Sequence, residues 1–166
     1  MQGYGKCQYL NMMYPWDGQA NINPGEDFGD YNPVSAYVKD FILPEKFKGR
    51  KTIISFQGVE NAFYLWVNGE FVGYSEDSYT PAEFDLTNYL KLGNNRIAVE
   101  VFRRCSGTWL EDQDVFAFSG IFRDVYIYTV PENHIRDMFV HTELDSEYKN
   151  GTLKIDADIT GEDDIL

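Results

Sequence analysis

Between Trp109 and Val125 the chain sets the carboxylates Glu111, Asp112 and Asp114 among the rings of Trp109, Phe116, Phe118 and Phe122, with Ser119-Gly120 near the end of the run. No core-packing pattern calls for that mixture. Loops longer than about 12–15 residues without secondary structure of their own are uncommon in compact domains and are usually functional or disordered. Disorder fits poorly, because disordered segments are poor in aromatics. Asp112 and Asp114 can accept hydrogen bonds from hydroxyls or bind a cation, while Trp109, Phe116 and Phe118 offer flat apolar faces to the CH side of a sugar ring. Residues 109–125 therefore read as a site for a polar, hydroxyl-rich ligand, with Asp114 as the acid expected to touch ligand or cation.

Other chemistry is weaker. Glycoside hydrolysis needs an acid and a nucleophile or base on opposite sides of one bond. Glu111, Asp112 and Asp114 lie within four residues of one another, so no catalytic residue is assigned. Their spacing does not match a calcium loop of the EF-hand type. Asp27, Asp30 and the Glu76-Asp77 pair read as solvated acids, and His134 and His141 receive no role. The Asn11 amide, which can both donate and accept, suits a sugar hydroxyl. On the residues alone, however, the plainer reading is an arm lying on the domain surface. Trp16 and Trp66 read as core or interface residues, and Cys7 and Cys105 as buried free thiols.

Aromatics make up 16% of the 166 residues, and β-branched residues recur in short runs, which favours strands. The net charge of -13 argues against nucleic acid and against an anionic membrane surface. No apolar stretch approaches 18 residues and the amino terminus lacks a secretory pattern, so a cytoplasmic location is expected. Residues 1–33 form an irregular arm rich in turn signals. Strands are expected at 35–41 and 51–56. A hairpin follows, whose Asn68-Gly69 turn joins 63–67 to 70–74, because a type I′ turn needs positive φ at both central residues. A short strand at 82–86, a turn of helix at 87–92, a long strand at 96–103 with Ile97, Val99 and Val101 on one face, and a strand at 124–129 complete the set. Many short strands with little helix describe an all-β sandwich or jelly roll. Beyond a boundary at 131–133, strands at 135–144 and 153–159 form a hairpin that is marginal in water by itself. It reads as the truncated start of a second sandwich, so the domains are expected at 1–131 and 132–166.

Several of these segments together resemble one family. Residues 58–69, 72–78 and 81–86, then Leu110-Glu111-Asp112-Gln113-Asp114 and Ser119-Gly120-Ile121-Phe122-Arg123-Asp124-Val125, are similar, in order, to the amino-terminal jelly-roll domain of bacterial β-galactosidases of glycoside hydrolase family 2. The strands after residue 131 resemble the start of that family's first immunoglobulin-like domain. The resemblance implies a parent enzyme that hydrolyses terminal β-D-galactosides such as lactose with retention, using two glutamates on a (β/α)8 barrel that this chain lacks. It implies substrate contacts from Asp114 and Asn11, a sodium ion at Asp114, and sodium and magnesium for the complete enzyme. It also implies partnership with the rest of the polypeptide and homo-oligomers at full length. The chain departs from the family at Val115-Phe116-Ala117-Phe118, where an aromatic followed by a basic residue is usual, so the resemblance supplies no basic partner at 117. A stand-alone carbohydrate-binding module and a purely structural or assembly domain are the competing readings.

Overall fold

The computed structural model describes residues 8–10, 32–111, 115–118 and 120–161. Along them run the strands β1 (Gln8–Leu10), β2 (Val34–Leu43), β3 (Thr52–Phe56), β4 (Val59–Glu60), β5 (Ala62–Val67), β6 (Glu70–Glu76), β7 (Ala82–Asp85) and β8 (Gly93–Phe102). A short helix, α1 (Gly107–Leu110), precedes β9 (Val115–Ala117), β10 (Gly120–Ile121), β11 (Val125–Thr129), β12 (His134–Leu144) and β13 (Gly151–Thr160). The chain divides into two compact units, Met1–Tyr128 and Thr129–Leu166.

In the first unit an antiparallel sheet in the order β2-β8-β5-β6 and a second sheet in the order β11-β3-β7 share one core. Period-two patterning builds it. Phe63, Leu65 and Val67 of β5 and Val99 and Val101 of β8 face inward from one sheet, and Ile54 and Phe56 of β3 come from the other. The Phe56, Phe63 and Phe84 rings meet at 4.7–6.3 Å between centroids. The expected all-β sandwich is what the chain forms.

The Asn68-Gly69 hairpin forms as expected, with φ of 53° and 88° at its two central residues and Val67 opposite Glu70. Asn68 does more than turn the chain. Its side-chain amide donates to the Tyr89 carbonyl at 2.8 Å and to Asn95 Oδ1 at 2.9 Å, and its oxygen accepts from the Arg96 N–H at 3.0 Å. Gly73 marks a close approach of the two sheets, since a Cβ there would lie 2.6 Å from the Phe84 ring.

Four expectations are corrected. The amino-terminal arm is not wholly irregular, because Gln8–Leu10 pairs antiparallel with β9. Residues 87–92 form a hydrogen-bonded turn, closed by the Tyr89 and Leu90 N–H groups on the Leu86 carbonyl, with Asn95 capturing the Lys91 backbone before a helix can propagate. Residues 109–125 are not one long loop, since they hold the end of α1, β9 and β10. Trp66 is only half-buried and lies on the face of β5 opposite the core, beside Tyr64 and Phe71, which corrects the core half of its core-or-interface reading alone.

In the second unit β12 and β13 form an antiparallel hairpin. Asp145 organises its connection by accepting from the N–H groups of Glu147, Lys149 and Asn150. The register puts Met138, Val140 and Leu144 on the same face as Leu153 and Ile155, and all five side chains are exposed.

Candidate functional site

Side-chain locks, more than a continuous ladder, hold the chain where it leaves β8. The Asn32 amide donates to the Arg104 carbonyl and its oxygen accepts from the Arg104 N–H, both at 2.9 Å. The Thr108 hydroxyl, in the first turn of α1, accepts from the Cys105 N–H at 2.9 Å. Just after α1, Glu111 accepts two hydrogen bonds from the fully buried Ser78, from its N–H at 3.1 Å and from its hydroxyl at 2.6 Å. Both of its oxygens are thus engaged in structure, and Glu111 is not placed as a free acid or base.

The neighbouring acids behave alike. Glu76 accepts from the Tyr74 hydroxyl and, at 2.7 Å, from the Ser106 hydroxyl, and the Tyr74 bond is the largest influence holding its carboxyl below the usual range. Asp77 accepts from the Tyr79 and Thr80 N–H groups and from the Thr80 hydroxyl, which chiefly lowers its carboxyl. Asp77 is exposed, as expected of a solvated acid, whereas Glu76 is half-buried, and both also fix the loop that Ser78 anchors. Asp27 and Asp30 lie outside the described residues.

Beyond Glu111 the segment becomes an aromatic strip. Phe118 stacks on Phe122 at 4.8 Å with the rings 18° apart, while Phe116 lies 6.4 Å from Phe118 and is 54% exposed. The Tyr79 hydroxyl donates to the Phe116 carbonyl at 2.6 Å. Arg123 sits over the Phe122 ring at 5.2 Å and donates to the Tyr79 carbonyl at 2.8 Å. Gly58 makes room for this strip, because a Cβ there would meet the Phe122 ring at 2.7 Å. One face of Phe118 is thus taken by Phe122, and Phe116 is the most exposed ring of the strip. The side chain of Trp109 lies outside the described residues.

Asn11 and Asp114, the two residues expected to contact sugar, also lie outside the described residues, as do Asp112, Cys7 and Trp16. Their sequence neighbours are described. Leu10, directly before Asn11, pairs with Val115, directly after Asp114, at one end of the β1–β9 ladder. Among the described residues no cluster of three or more acids, histidines or cysteines could hold a metal ion. Cys105 is a buried free thiol whose ionisation burial pushes up to about 11, so it is no nucleophile at neutral pH.

Glu60 lies outside the site expected from the sequence. This carboxyl is buried at 6% exposure, and burial pushes its ionisation up to about 8. The signal was a lone acid between Val59 and Ala62-Phe63, in a stretch otherwise destined for the core. A separate cleft of about 670 Å³ opens between β2 and β11, lined by groups such as Phe41, Ile97, Ile121 and Tyr126. Its lining is mostly apolar and lacks the convergent carboxylates and amides that sugar hydroxyls need.

Among the described residues, then, the site offers aromatic surface and a rigidly held scaffold, chemistry that suits binding. Comparisons with known proteins agree. Residues 1–131 match the family model described as glycosyl hydrolases family 2, sugar binding domain. The chain is 55% identical over 161 residues to a β-galactosidase of Clostridium acetobutylicum, covering 97% of the chain and 18% of that protein. It is 58% identical over 154 residues to a β-galactosidase of Halalkalibacterium halodurans, covering 93% of the chain and 15% of that protein. The crystal structure of Bacteroides uniformis β-glucuronidase superposes with a TM-score of 0.69 at 26% identity, over 78% of this chain and 16% of that one. The chain spans less than a fifth of the length of each of these three proteins. From the sandwich, the ordered motifs and the match across residues 1–131, the chain belongs to the glycosyl hydrolase family 2 sugar binding domains.

Proposed function

We propose that this chain is the amino-terminal part of a β-galactosidase and supplies one wall of a galactoside pocket whose catalytic glutamates lie on a barrel domain outside the chain. The observation that carries the reading is identity of 55% to a β-galactosidase over nearly the whole chain, against 26% to the structurally similar β-glucuronidase. Asn11 and Asp114 are the residues proposed to hydrogen-bond galactose hydroxyls, and Asp114 additionally offers a hard carboxylate oxygen to sodium. The β1–β9 ladder supports pairing these two roles, because its Leu10–Val115 end is flanked in sequence by Asn11 and Asp114. Phe116, two residues after Asp114 in sequence, adds exposed apolar surface.

Within this reading the chain binds and orients sugar, and bond cleavage belongs to the barrel. Residues 132–166 begin an immunoglobulin-like sandwich. Support comes from the exposed apolar face of the β12–β13 hairpin, where Leu144 is 63% exposed and Ile155 51%, a surface that a further sheet would cover. The complete protein is proposed to form homo-oligomers in the cytoplasm.

A chimera tests this directly. This chain replaces the equivalent amino-terminal segment of the Clostridium acetobutylicum β-galactosidase, and hydrolysis of lactose and of nitrophenyl β-galactoside is measured. The expected result is an active enzyme that prefers galactosides to glucuronides. A folded chimera without galactosidase activity would contradict the proposal. The reading of a stand-alone sugar-binding module predicts instead that the isolated chain binds galactose at millimolar concentration or better in an NMR titration.

A further inference from the structure

Among the described residues the β1–β9 ladder belongs to neither sheet of the sandwich. It consists of two strands of 3 residues each, pairing Gln8 with Ala117, Tyr9 with Phe116 and Leu10 with Val115. A two-stranded ladder is marginal in water by itself, so its place depends on what ties it to the sandwich. Tyr79, in the connection between β6 and β7, reaches its middle: the hydroxyl donates to the Phe116 carbonyl at 2.6 Å.

The ring and the backbone of Tyr79 are both held. Its ring meets Phe122 at 5.8 Å, and the Arg123 guanidinium lies 6.0 Å from the ring centre. Arg123 also donates to the Tyr79 carbonyl at 2.8 Å and to the Gln57 carbonyl, just after β3, at 3.2 Å. The Tyr79 N–H donates to Asp77 at 3.1 Å. Next to it, the buried Ser78 is bonded to Glu111. One loop of the sandwich thus grips the chain at Glu111 through Ser78 and at Phe116 through Tyr79.

We propose that Tyr79 is a positioning residue: its hydroxyl moors the β1–β9 ladder to the sandwich and so sets the sugar contacts proposed at Asn11 and Asp114, which adjoin the Leu10–Val115 end of the ladder in sequence. The mooring stands on the Tyr79–Phe116 geometry. Its consequence for sugar rests on the reading in which those two residues touch galactose. A binding group misplaced by about 1 Å can cost on the order of 10²-fold in rate. Loss of the hydroxyl loosens the ladder without displacing it outright, so the expected effect is the smaller one of a single hydrogen bond, about fivefold.

The test is Tyr79→Phe, which keeps the ring against Phe122 and Arg123 and removes the hydroxyl alone. Amide exchange of residues 8–10 and 115–117 is compared with that of β8 in both proteins. Protection in the ladder should fall about fivefold in Tyr79→Phe, with β8 unchanged. Equal ladder protection in the two proteins overturns the proposal.

The chimera separates the mooring from the sugar reading. There Tyr79→Phe should lower kcat/KM for nitrophenyl β-galactoside about fivefold, but by less than about twofold when Asn11→Ala and Asp114→Ala are already present. A hydroxyl with a merely structural role would cost the same in both backgrounds. That additive result, or an undiminished kcat/KM alongside lost ladder protection, contradicts the positioning role where Asp114→Ala still lowers activity. If neither Asn11→Ala nor Asp114→Ala lowers kcat/KM, the sugar-contact reading fails, and exchange in the ladder alone decides the mooring.

Discussion

Removing the Glu111 carboxylate tests whether the acids beside the proposed sugar site are scaffold or chemistry. Ser78 is fully buried, and its N–H and hydroxyl both donate to Glu111. Glu111→Ala strands both donors, and each buried unsatisfied donor costs about 1–3 kcal/mol. Water reaching the partly exposed end of the gap recovers some of this, so the expected loss is about 3 kcal/mol. Glu111→Gln should cost only about 1 kcal/mol, because its amide oxygen can accept from the Ser78 N–H while the hydroxyl rotates to accept from the amide nitrogen. Urea unfolding of the chain, followed by tryptophan fluorescence, measures both. A double-mutant cycle with Ser78→Ala should give a coupling of about 1 kcal/mol or more. A Glu111→Ala loss below about 0.5 kcal/mol, or an additive cycle, would refute the scaffolding argument. In the chimera, Glu111→Gln should keep kcat within about tenfold of wild type, whereas loss of a general acid would cost about 10²–10⁴.

Gly73→Ala should destabilise the first unit by about 1–3 kcal/mol in the same assay, because the new Cβ meets the Phe84 ring at 2.6 Å. Asn68→Ala should lose about 2 kcal/mol in urea, since it removes a left-handed residue suited to the turn and three hydrogen bonds that tie the turn to Tyr89, Asn95 and Arg96. Stability should also depend on pH through Glu60, whose carboxyl rises from 4.5 to about 8 on folding. The folded state holds the proton more tightly, so the Glu60 contribution is complete below about pH 4.5, declines by at most about 1.4 kcal/mol per pH unit, and is lost by about pH 8. Glu60→Gln should flatten that decline in urea titrations across pH 5–9.

What could be read from the sequence was whatever local pattern encodes. Ile97, Val99 and Val101 alternate along β8, and Asn68-Gly69 carries the positive φ values of its turn. The elements that escaped are short and paired across long sequence distances. Gln8–Leu10 meets Val115–Ala117, and Val59–Glu60 meets Gly120–Ile121. Strands of two or three residues leave no periodic trace, which is why 109–125 read as one loop. The 87–92 turn resembled a helix because Asn95, which closes its end, works through side-chain bonds that no propensity records. The core reading of Trp66 failed because alternation alone does not say which face of β5 is the core. Glu60 was hidden because a charge inside an apolar strand looks like a register break until the fold buries it. Asn11 and Asp114 stand as proposals, Asn11 resting above all on family resemblance, since amide and carboxylate chemistry alone does not separate a sugar ligand from a turn.

Asp114 is proposed to lend this domain's contact to a galactoside pocket completed elsewhere. The direct measurement is the steady-state kinetics of the chimera carrying Asp114→Ala, with its unfolding midpoint measured alongside. The expected loss is about 2–3 kcal/mol of transition-state stabilisation, a drop of roughly 30- to 150-fold in kcat/KM for nitrophenyl β-galactoside, at an unchanged midpoint. A kcat/KM within about twofold of the unsubstituted chimera would contradict it.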